Sequence, residues 1–153
     1  MIRLATLQVL ITSILLSNNN HPIILVHGFL GWGKEEVGDK NYWGGENDIE
    51  KYLNDRGYQV YSVSLGPVSS TYDCAIETFY QIKGGQVDYG QEHSEKFKII
   101  RKPEGKIYKG LYPEWNEENP VHLIGYSFGG LTNRMLLHLC LLYTSPSPRD
   151  CKT

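Results

Sequence analysis

The stretch Val121-His122-Leu123-Ile124-Gly125-Tyr126-Ser127-Phe128-Gly129-Gly130 constrains this chain more than any other. Val121, Leu123 and Ile124 predict a short buried strand. Leu131, Met135, Leu136 and Leu139 then recur at helical spacing, which predicts a helix from Phe128 to about Leu139 with that stripe buried. Between the two lies Ser127, flanked by Gly125 and Gly129 at two residues on either side. A serine held between strand and helix sits on a sharp turn, and side chains at the flanking positions would collide with one element or the other. In return its hydroxyl stands clear of the backbone, at the positive end of the helix. The Phe128 N–H can then face a developing oxyanion. This is the G-x-S-x-G pattern of an activated serine nucleophile. A chance Gly-Ser-Gly loop shares the five residues but not the strand before and the helix after.

The rest of the chain fits one layered α/β unit. Pro22-Ile23-Ile24-Leu25-Val26 is a continuous apolar run, as in a parallel strand buried on both faces. His27 to Gly33 is a glycine-rich turn in which His27 braces the loop. Asn47 is the expected cap of a helix from Asp48 to Arg56, with Ile49, Tyr52 and Leu53 on one apolar face and Gly57 as its stop. Tyr58 to Leu65 reads as the next strand, so strand, helix and strand call for a parallel sheet. Tyr72 to Lys83 reads as a helix with Ala75, Ile76, Phe79 and Ile82 on one side. Gln86 to Asn119 is long and polar, which implies an insertion (about 84–119) with function or elements of its own. With 153 residues and a net charge of −2, the chain is the size of one domain and shows no nucleic-acid footprint. Cys74, Cys140 and Cys151 form neither a disulfide framework nor a zinc spacing. Leu4 to Leu16 is too short to span a membrane and has the length of a signal-peptide core, with an ordinary amphipathic helix as the other reading.

Five blocks in one register carry a resemblance. Pro22 to Phe29, Tyr42-Trp43-Gly44-Gly45, Gly66-Pro67-Val68-Ser69-Ser70, Gly84-Gly85-Gln86-Val87-Asp88-Tyr89-Gly90 and the Ser127 turn resemble the secreted lipases of staphylococci and thermophilic bacilli. The resemblance runs from about Pro22 to Leu139. It implies an α/β-hydrolase fold, export from the cell, and hydrolysis of triacylglycerols and shorter esters at lipid surfaces. By position, Ser127 matches the nucleophile, and Phe29 and Phe128 match the residues whose backbone N–H groups hold the oxyanion. The family also has a zinc site of two Asp and two His. Asp73 and His93 match its first Asp and first His, but the second His falls at Ile99, which cannot bind metal, and the second Asp falls past residue 153. Two ligands do not close a four-coordinate site. Calcium binding is undecided by the residues at hand.

A serine hydrolase of this fold has its acid and its histidine after the serine. Here only His138 and Asp150 come after Ser127. His138 is eleven residues along the predicted helix and cannot reach back, while His21, His27, His93 and His122 precede the serine. His122 reads as a packed sheet residue. Cys140 to Asp150 matches, codon for codon, a translated tagmentation sequencing adapter. The expected division is therefore a signal-like segment and spacer at 1–20, the N-terminal part of a catalytic domain at 21–139, and adapter read-through at 140–153. A genuine Pro/Ser-rich terminus is the alternative. As written, the polypeptide is expected to be inactive for want of the triad acid and base. Two other functions fit the same residues: an acyltransferase or other α/β hydrolase using Ser127, and a non-catalytic lipid-binding remnant.

Overall fold

The computed structural model describes residues 20–34 and 36–144, with the side chains of 141–144 left aside. The signal-like segment up to residue 19 and the tail from residue 145 lie outside the described residues. A three-stranded parallel sheet forms the centre, in the order β2 (Val60–Ser62), β1 (Ile23–Val26), β5 (His122–Gly125). Ile23 pairs with Val60 on one side and with His122 on the other. The apolar run of β1 thus becomes the middle strand, with Ile24 and Val26 fully buried. Each such side chain contributes about 1.5–3 kcal/mol by leaving water.

Helix α1 (Ile49–Asn54) crosses from β1 to β2 and is shorter than expected. Its cap is Asp48 rather than Asn47: the Asp48 carboxylate accepts from the Lys51 N–H at 2.8 Å. The anticipated apolar face is not buried among the described residues, since Ile49 and Tyr52 are both exposed. The strand after it is also shorter, three residues instead of eight.

Helix α2 (Thr71–Lys83) is capped by Ser70, whose hydroxyl accepts from the Asp73 N–H. It packs against α4 (Phe128–Thr144), which runs past the expected end at Leu139 and also lies on β1 and β5. Between helices and sheet sits the core: Ile24, Val26, Val63, Leu65, Cys74, Ala75, Ile82 and Leu136. Two expectations shift here. The buried face of α2 includes Glu77, Thr78 and Gln81, and Ile76 and Phe79 are only half-buried. On α4, Leu131 is exposed while Thr132 and Asn133 are buried. Strand β5 is an edge of the sheet among the described residues, with Ile124 exposed, so the strand before Ser127 is not the buried one its residues predict.

The polar stretch 84–119 does carry elements of its own. Strands β3 (Gly85–Gln86) and β4 (Ile107–Tyr108) form an antiparallel pair around helix α3 (Gln91–Phe97). Buried polar side chains fasten it to α2. Glu77 accepts from the Tyr89 hydroxyl at 2.7 Å and from Lys106 Nζ at 2.6 Å. Within the insertion, Asp88 accepts from Arg101 Nε and Nη2 at 2.7 and 2.8 Å. The Arg101 guanidinium, joined by the Gly90 N–H and Lys102, holds the Asp88 carboxyl down to about 2.

A depressed carboxylate stabilises the fold above its unfolded value and loses that contribution as pH falls through its folded value. Arg101→Ala is therefore expected to lower stability at neutral pH. Its deficit against the parent should shrink as pH falls from about 4 to about 2. Urea unfolding at several pH values across that window checks this, and a deficit that stays constant down to pH 2 would contradict it.

Candidate active site

Strands β1 and β5 run parallel and end side by side, Val26 opposite Gly125. The segments that leave the two strands therefore meet at one end of the sheet. After β5, the Tyr126 N–H donates to the Val26 carbonyl at 3.1 Å. Ser127 then takes φ 53°, in the left-handed region. That conformation costs a residue with a side chain on the order of 1–3 kcal/mol and persists where the surroundings impose it. The helix starts at once, Gly129 N–H donating to Tyr126 and Gly130 N–H to Ser127. A side chain at Gly129 would collide with the Val26 carbonyl oxygen and lie 2.7 Å from that of His27. Its absence seats the first turn of α4 directly on the end of β1. Ser127 is left exposed.

After β1 comes His27, only 3% exposed. The Leu65 N–H can only donate, so His27 Nε2 accepts from it, at 3.0 Å. The proton then sits on Nδ1, which donates to the Gly28 carbonyl at 2.9 Å. Both nitrogens are engaged, and His27 does brace the loop. Its partner Leu65, 38 residues away in sequence, had no signal in the local pattern. Gly28 lies against the serine: a Cβ built on it would be 3.2 Å from Ser127 Cβ. Phe29 comes next, with its ring edge-on to that of Phe128 at 6.5 Å. The structure thus brings Ser127, Phe29 and Phe128 together. The neighbours of Phe29 use their N–H groups, Gly28 to Tyr42, Leu30 to Pro67 and Gly31 to Gly28. The Phe29 N–H makes no hydrogen bond among the described residues. The Phe128 N–H, at the first position of α4, has no carbonyl within its own helix to reach.

Each of the five histidines is engaged by other groups or sits away from the serine turn. His27 is tied at both nitrogens. The rings of His21 and His122 lie 6.1 Å apart at the start of the strands, the far end of the sheet. His138 is about 16 Å along α4 from Ser127 at the rise of a helix. His93 is occupied elsewhere: its Nε2 meets Asp73 Oδ1 at 2.8 Å, and its ring stacks on Tyr72 at 4.0 Å and lies 4.7 Å from Phe97.

A family model described as "Lipase-like, C-terminal domain" matches residues 19–143. The chain belongs to that family. A lipase of Staphylococcus epidermidis is 43% identical over 125 residues, 79% of this chain and 18% of that protein. Among solved structures, lipase 1 from Pelosinus fermentans matches with a TM-score of 0.75 and 48% identity, over 80% of this chain and 33% of that one. Staphylococcus hyicus lipase matches with a TM-score of 0.74 and 41% identity, over 80% of this chain and 32% of that one. The chain thus spans less than a fifth of the curated relative and about a third of the solved structures. The α/β fold is that of lipases.

The zinc site implied by the resemblance can be tested on the residues of this lipase-like domain. Asp73 and His93 are in direct hydrogen-bond contact at 2.8 Å. The third position is the aliphatic Ile99, half-buried. Among the described residues no group of three His, Cys, Asp or Glu could hold a metal. The residues present do not fit a closed zinc site. Unfolding temperature is accordingly expected to be the same with and without a chelator such as EDTA, and a fall on chelation would refute this. No helix among the described residues is long and apolar enough to cross a membrane.

Proposed function

We propose that the protein to which this chain belongs is a carboxylic-ester hydrolase of the triacylglycerol lipase type, secreted and acting on lipid or ester substrates. Ser127 attacks the ester carbonyl. The Phe29 and Phe128 N–H groups hold the oxyanion, and a histidine base with its orienting acid comes from outside the described residues. One observation carries this reading. In a chain of the lipase family, the strained φ of 53° at Ser127 is found at a strand-to-helix turn that abuts Gly28 and leaves the serine exposed. Strain of this kind clusters at active sites, and here it falls on the serine of the strand-to-helix turn.

The reaction then has two halves. Oγ bonds to the carbonyl carbon while its proton passes to the base and the carbonyl electron pair moves to oxygen. Collapse expels the alcohol, which takes the proton, and water repeats the sequence on the acyl-serine. The test is labelling of the intact protein with a fluorophosphonate, followed by peptide mapping, alongside release of fatty acid from tributyrin. Adduct on Ser127 together with fatty-acid release is the expected result. An unlabelled Ser127 in a protein that still hydrolyses tributyrin would overturn the assignment.

A further inference from the structure

We propose that the Tyr42 hydroxyl is a third donor to the oxyanion, a catalytic side chain beyond the two backbone N–H groups; this rests on the serine-esterase reading above. The phenol oxygen accepts from the Gly28 N–H at 3.0 Å. A phenol can accept and donate at once. Its own O–H finds no acceptor among the described residues, so that donor remains for a ligand. Its position is the informative part. A methyl-sized volume on Gly28 would touch the Tyr42 hydroxyl at 3.1 Å, Ser127 Cβ at 3.2 Å and the Tyr126 carbonyl at 3.0 Å. The hydroxyl and the Ser127 side chain therefore both close in on the same face of Gly28, a position that only a glycine leaves uncrowded.

Four rings hold the phenol in place. His27, Trp32, Trp43 and Tyr126 have their centroids 5.6, 5.3, 5.6 and 6.4 Å from that of Tyr42. Such clamping keeps the donor aimed before substrate arrives, so little reorganisation is needed when charge develops. Accepting from Gly28 also polarises the phenol and strengthens it as a donor. The role involves no proton transfer. As Oγ bonds to the carbonyl carbon, the electron pair reaching the carbonyl oxygen meets a hydrogen bond from Tyr42.

Tyr42→Phe in the intact protein removes that bond and keeps the ring. The expected result, on a short-chain p-nitrophenyl ester, is a fall in kcat of about 10- to 100-fold with KM within about twofold. The inhibition constant of a trifluoromethyl ketone, which forms the same oxyanion, should rise by the same factor. A kcat within twofold of the parent overturns the proposal. So does a fall in kcat with no change in ketone affinity, because that outcome assigns Tyr42 to loop positioning alone. If the phenylalanine variant does not fold, a fluorotyrosine at position 42 keeps the shape and strengthens the donor; an unchanged kcat then overturns the proposal. Fluorophosphonate labelling of the parent separates the two levels. Absence of adduct on Ser127 sinks the serine reading itself, whereas adduct with an indifferent Tyr42→Phe variant sinks only the third donor.

Discussion

Replacing Ser127 by alanine in the intact protein is expected to lower kcat by on the order of 10⁵- to 10⁶-fold, leaving only what the oxyanion donors and substrate binding contribute. The loss is large because no other described side chain can take over as nucleophile. The Cys74 thiol is buried in the core, and burial pushes it up to about 11. Alanine keeps a Cβ in the left-handed region, so the variant retains the strain at φ 53°. Glycine at the same position relieves it. Ser127→Gly is thus expected to be as inactive as Ser127→Ala but more stable than it by about 1 kcal/mol. Titration against tributyrin and urea unfolding of both variants check the pair. Substantial activity in either, or equal stability of the two, would show that the turn is not a strained nucleophile site.

Gly129→Ala is expected to cost about 3 kcal/mol or more and to remove activity with it. A methyl group there meets backbone on two sides, the carbonyl oxygens of Val26 and His27. Backbone cannot rotate away as a side chain can, so α4 must lift from β1, and Ser127 is misplaced with it. The next glycine is an internal control. At Gly130 the nearest atom to an added Cβ is the Gly125 carbonyl oxygen at 3.9 Å, an ordinary contact, and the residue lies in α4. Gly130→Ala should therefore stabilise the protein by about 0.5–1 kcal/mol through helix propensity alone. Opposite signs from adjacent glycines, read as shifts in the urea midpoint, isolate packing against β1 from helix propensity. A Gly129→Ala variant as stable as the parent would contradict the tight seating of the helix.

The serine turn was legible in the sequence because its physics is short-range. Ser127, Gly125, Gly129 and the apolar residues before them interact across a handful of positions, so spacing alone implies strand, turn and helix. The parallel sheet was legible for a similar reason: the run Ile23 to Val26, the helix around Ile49 and the strand at Val60 succeed one another at the intervals a crossover needs. A helical stripe, by contrast, says that one face is apolar without saying what covers it. Leu131 belongs to the stripe of α4 yet is exposed, and Thr132 and Asn133 are buried. Apolar Ile49 and Tyr52 likewise find no cover among the described residues. The cap expected at Asn47 falls one residue later, because backbone geometry brings the Asp48 carboxylate to the Lys51 N–H.

The contacts that make a site of these elements were the tertiary structure's to decide. Tyr42 stood in a recognisable motif with no role attached until folding set its hydroxyl 3.0 Å from the Gly28 N–H. Asp73 and His93 were joined only by what the resemblance implies for a zinc site, and it is the packing of α2 and α3 that brings them into direct contact. Each of these pairs joins groups that are distant in the chain, and no local pattern encodes which of many possible partners a folded chain will supply. The sequence by itself determined the serine turn and the sheet that presents it. Only the packing of loop, insertion and helix against that sheet decided which polar groups face Ser127 and which are spent on one another.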